Sequence, residues 1–151
     1  MYVVRQRKGG TKVINPNVGI SPEQQEDGHS FIETGALIAT GPAEQLFIAG
    51  ISGFEITDFE PPLQRVTIVG INLPDPEVFG PYDAYEAVIL DPEQGVVTEF
   101  QLSPVPDQRL WAGATFLTFG GTLFPMTGIV RPIALASNLT GPTILEGTIF
   151  E

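Results

Sequence analysis

WAGATFLTFGGTLFPMTGIV, residues 111–130, carries no charge and contains the single tryptophan of the 151-residue chain. No other segment is as long and as apolar. Its length meets the criterion for a membrane-crossing helix, so how it is read decides the fold. Four glycines, four threonines and a proline within it are poor helix formers in water and unusually dense for a helix in lipid. Thr115 to Phe119, then Gly120-Gly121, then Thr122 to Phe124 instead spell a strand, a turn and a second strand. Paired glycines supply the positive φ that a two-residue hairpin needs. The stretch is therefore read as a hairpin in the core of a soluble protein, with no membrane partner expected.

Outward from that hairpin the texture is the same. Short β-prone runs occupy residues 30–40, 46–49, 54–59, 65–73, 85–90 and 96–102, and a last alternating run covers residues 143–150. Phe54-Glu55-Ile56-Thr57 and Val66-Thr67-Ile68 alternate apolar with polar, as a strand with one wet face requires. Between the runs lie Pro61-Pro62, Pro74-Asp75-Pro76-Glu77 and Asp91-Pro92-Glu93-Gln94-Gly95, which are turn chemistry, the last of them a hairpin loop. Fourteen prolines and seventeen glycines leave little room for long helices. A single helical turn fits after Ser21-Pro22, and at most a turn or two could wind over residues 82–87 ahead of the strand run. Gly50-Ile51-Ser52-Gly53 is expected to turn between two strands. Closely spaced strands of this kind predict an all-β, single-domain antiparallel β-sandwich or barrel.

Charge divides the chain. Arg5, Arg7, Lys8 and Lys12 fall in the first twelve positions, while residues 13–151 carry all eighteen acidic groups against Arg65, Arg109 and Arg131. We read residues 1–20 as an extended basic N-terminal arm and residues 21–151 as an acidic all-β domain. An acidic body repels phosphate backbones, so nucleic acid is not an expected partner. The four basic residues of the arm are candidates for contact with an acidic neighbour. A second candidate is the loop over residues 73–82, which holds Val78 and Phe79 between prolines. Those two side chains either fold back on the body, the reading we favour, or offer an apolar knob to a partner. No apolar leader or small-residue cleavage site follows the basic start, so a secretory signal is not expected.

Chemistry is sparse. There is no cysteine and one histidine, His29, which excludes thiol nucleophiles, zinc–thiolate sites and a multi-histidine metal barrel. No serine sits in a Gly-x-Ser-x-Gly elbow, no phosphate-cradling glycine loop is present, and no spacing selects a carboxylate pair for hydrolysis. Neither an enzymatic activity nor a cofactor nor a metal is expected. Tyr82 and Tyr85 are the aromatics left for a sugar-binding surface, the remaining rings being read as core.

The leader MYVVRQRKGGTKVINPN joined to a cysteine-free, acidic, β-rich body resembles, in overall plan, the small structural proteins of tailed-bacteriophage virions, nearest to the capsid decoration or cement type. That resemblance implies a non-enzymatic homo-oligomer, with a trimer favoured. It would sit on the major capsid protein or other virion subunits, its termini laid along neighbours, and be located in the virion. A tail or neck ring subunit, or a soluble carbohydrate-binding β-sandwich using Tyr82 and Tyr85, are the alternative expectations.

Overall fold

A computed structural model describes residues 31–56, 63–117 and 125–149. The basic arm with Arg5, Arg7, Lys8 and Lys12, the turn after Ser21 and the Gly120-Gly121 turn lie outside the described residues.

The described chain is built from strands: β1 (Phe31–Ala39), β2 (Ala49–Ile56), β3 (Gln64–Ile71), β4 (Ala84–Asp91), β5 (Gly95–Val105), β6 (Leu110–Leu117), β7 (Met126–Ala134), β8 (Leu139–Thr140) and β9 (Leu145–Ile149). Two short 3-10 turns, Gly41–Ala43 and Pro76–Phe79, each begin where a proline sets φ at the first or second position. Every strand pairing is antiparallel, and the order β4-β5-β6-β3-β2-β1-β9-β7 is closed by β7 pairing back on β4. The result is an eight-stranded antiparallel barrel, with the two-residue β8 added beside β7.

The registers show that this barrel is two sheets joined at corners. β1, β2, β3 and β6 pair along their full described ladders, from Phe31↔Ile56 through Gln64↔Leu117. β5, β4, β7 and β9 form the opposite sheet. One corner is the end of β5, where Ser103 to Val105 leave β4 and pair with β6. The other is the β1–β9 seam, held by only Ile38↔Glu146 and Ala39↔Leu145. Closure removes most free strand edges, the usual liability of an all-β protein.

Between the sheets sits one core. Leu37, Phe54, Val66 and Ile68 point in from the first sheet and meet Tyr85, Ala87, Ile89, Leu102, Met126, Val130, Leu145 and Ile149 from the second. The strands alternate as the pleat demands, for example eBeBiBii in β2 and ieBiBiBi in β3 (B buried, i intermediate, e exposed). At the β1–β9 seam Gly147 is required by contact: a Cβ there would strike the Ala36 carbonyl and the Leu37 side chain.

The structure corrects two expectations. Gly50-Ile51-Ser52-Gly53 is not a turn between two strands but lies inside β2, with Ser52 buried against the barrel interior. Residues 84–87 are strand, not helix, because Tyr85 and Ala87 are paired on both sides by β5 and β7. Of the hairpin expected in the central uncharged stretch, the second strand, Thr122 to Phe124, lies outside the described residues. Thr115 to Leu117 pair with β3, whereas β7 pairs with β4 and β9. No helix among the described residues is long and apolar enough to cross a membrane.

Candidate interaction surface

The loop carrying Val78 and Phe79 divides between the two roles considered for it. Phe79 turns inward, its ring edge-on to Tyr85 at 6.5 Å and 72°. Tyr85 in turn meets Trp111 at 4.9 Å and 84°, and its hydroxyl donates to the Pro74 carbonyl at 2.7 Å. Burial, with the nearby Asp75 carboxylate adding to it and Arg109 opposing it, pushes the Tyr85 phenol well above its ordinary value. The aromatic trio clamps the loop to the body, leaving Val78 exposed at its tip. Tyr85 is wholly buried, so it offers no ring for a sugar to stack on.

The outer faces of the two sheets differ sharply. On the β5-β4-β7-β9 sheet, Arg131 on β7 donates to Glu86 on β4 at 2.6 Å and lies 3.6 Å from Glu99 on β5, while Glu146 stands exposed on β9. These charges surround Val88, at an outward position of β4 between Glu99 and Ile129, which is nonetheless buried. On the β6-β3-β2-β1 sheet the registers set the outward side chains in four rows. The first row is Phe116, Arg65, Glu55 and Ile32, in which Arg65 donates to Glu55 at 2.6 Å. The second is Ala114, Thr67, Gly53 and Thr34. The third is Ala112, Val69, Ile51 and Ala36, and the fourth Leu110, Ile71, Ala49 and Ile38.

Among the described residues half of this outer face is aliphatic, and the charges on it, Arg65 and Glu55, pair with each other. Ile32 is 52% exposed, Ile38 68%, Ile51 48% and Phe116 62%. Beyond the fourth row Phe47 is 94% exposed, its carbonyl held by the Asn72 side chain at 2.7 Å. Four strands about 4.8 Å apart and eight residues at about 3.3 Å each give a footprint of roughly 500 Å². The two aliphatic rows take about half of that footprint, roughly 250 Å², and the exposed Phe47 extends them.

An open depression of about 350 Å³ lies at the β1–β9 seam, lined by Ile38, Thr40, Glu44, Thr127, Glu146 and Thr148. Among the described residues no three metal-ligating side chains converge.

Of the partner-contact candidates named from the sequence, only Val78 and Phe79 fall within the described chain, and neither belongs to the apolar face. The face itself escaped the sequence reading. Its signal is in the strings Arg65-Val66-Thr67-Ile68-Val69-Gly70-Ile71 and Ile32 to Ala39, where both alternating sets of positions hold apolar residues. That is the mark of a strand covered on both sides.

The family described as SPbeta prophage-derived uncharacterized protein YoqH matches residues 35–151, which takes in the barrel from within β1 onward. No curated protein and no solved structure matches the chain.

Proposed function

Because the chain belongs to this prophage-derived YoqH family, we propose that it is a non-enzymatic structural subunit of a phage virion, of the capsid decoration or cement kind. The observation that carries the reading is the outer face of the β6-β3-β2-β1 sheet, half aliphatic and with its Arg65 and Glu55 paired, on an otherwise acidic barrel. A chain that works by binding a small molecule concentrates apolar and polar groups in a deep pocket. This one displays its apolar groups on a broad sheet face, as an assembling subunit does. The basic arm, through Arg5, Arg7, Lys8 and Lys12, supplies a second, electrostatic contact to an acidic shell subunit. Many modest contacts of this sort add through multivalency when a shell offers repeated sites.

The test is direct. Particles induced from a lysogen carrying this gene, purified by density gradient and digested for mass spectrometry, should contain the chain at a copy number comparable with other structural subunits. Its absence from particles while present in the lysate would sink the reading. Deleting residues 1–20 should weaken particle binding, the more so at low salt.

A further inference from the structure

We infer that the outer face of the β6-β3-β2-β1 sheet binds a second copy of this chain, across a two-fold axis that lies in the face and runs parallel to β2 and β3. This deepens the assembly reading of the face and rests on it; the partner named is the chain itself.

The argument is one of register and charge. An axis lying in the face, between β2 and β3, keeps each row opposite itself and reverses strand order, so that β6 faces the partner's β1 and β3 faces the partner's β2. In the first row Arg65 then faces Glu55 of the other copy, and Glu55 faces Arg65, so two ion pairs become a ring of four alternating charges. Phe116 faces Ile32 at both ends of that row. In the third row Val69 meets Ile51, and in the fourth the large Ile71 meets the small Ala49 while Leu110 meets Ile38. Cations oppose anions and apolar side chains oppose apolar ones with no adjustment of register. Antiparallel strands of two such sheets pack aligned to within about 30° at a spacing of about 10 Å.

Charge also says why the partner is another copy at this face. The chain carries a formal net charge of −11, so two copies repel over most orientations. This face has net charge zero, and joining it to itself leaves the acidic surfaces pointing apart. Two footprints of roughly 500 Å² take on the order of 1,000 Å² out of water, the level a specific interface clears.

The experiment uses the full chain, with light scattering on size exclusion and sedimentation velocity to read the mass. Wild type should be a dimer. Arg65→Glu puts four acids, and Glu55→Arg four bases, where the ring should be. Each variant should be monomeric, its dimer dissociation constant raised at least tenfold. An equimolar mixture of the two should regain the dimer, one copy of each by native mass spectrometry, because every acid then faces a base. Ile51→Lys should also give a monomer, with a far-UV spectrum and melting curve showing the barrel intact. Wild type running as a monomer or a trimer, a dimer that survives Ile51→Lys, or a mixture that stays monomeric would each overturn the two-fold pair. A chain found in particles yet monomeric in solution overturns the pair and leaves the virion reading standing. A dimer absent from particles does the reverse.

Discussion

At the scale of single residues, two polar groups set how the barrel answers to solution conditions. Tyr85 is buried with its hydroxyl donating to the Pro74 carbonyl, and its phenol is held above the ordinary range chiefly by burial. A raised acid pKa means that the folded state prefers the neutral form. The stability it contributes is fully present below the unfolded phenol's value of about 10 and is lost as pH climbs through and beyond it. Urea midpoints measured at pH 9 and pH 11 should therefore show a loss approaching 1.4 kcal/mol per pH unit above about pH 10. Tyr85→Phe should abolish most of that slope while costing about 1 kcal/mol at neutral pH for the lost hydrogen bond. If the slope persists unchanged in Tyr85→Phe, the phenol is not its source. Arg131 is the other case, bonded to Glu86, whose side chain is only 12% exposed. Arg131→Met should destabilise by about 1–3 kcal/mol by stranding that carboxylate, and Glu86→Gln in the same chain should return part of the loss, as a double-mutant cycle would read.

Elements depend on closure and on turns. Gly147 lets β9 lie against β1 where the seam has just two residue pairs. Gly147→Val should cost more than about 2 kcal/mol, since the obstacle is the Ala36 carbonyl of the backbone, which has no rotamer to move into. Gly53→Ala, whose added Cβ meets nothing within 4 Å, should be neutral or slightly stabilising in the same denaturation assay. The β4–β5 hairpin rests on Asp91, one carboxylate oxygen of which accepts from the Glu93 and Gln94 amides at 2.7 and 2.9 Å. Asp91→Ala should cost about 1 kcal/mol, with faster amide exchange at those two positions as the sign that the turn itself has loosened. That hairpin was legible in Asp91-Pro92-Glu93-Gln94-Gly95 because its partners are neighbours in the chain. The pairing of β3 with β6, or of β1 with β9, was not, because nothing local to Val66 names Thr115 as its partner across the ladder.

For the whole molecule, fold class was readable and the interaction surface was not. Short alternating runs with proline and glycine between them sufficed for an antiparallel barrel or sandwich, and the structure is a barrel made of two such sheets. The apolar face is assembled from outward positions on four strands, Phe116, Val69, Ile51 and Ile38 among them. Each taken alone is an unremarkable exposed hydrophobe. Only register brings them into rows, and register is a property of pairing that a linear string does not display. The same reasoning explains Phe79: its place between prolines showed that it must pack on something, but not that Tyr85 would be the surface it found.

The two corners carry a mechanical consequence. Within each sheet the ladders are long and continuous, whereas the sheets meet through three residue pairs at β5–β6 and two at β1–β9. Such a body is a pair of stiff plates on two flexural joints. A load pressed across it is expected to change the angle between the plates before it shears hydrogen bonds within them.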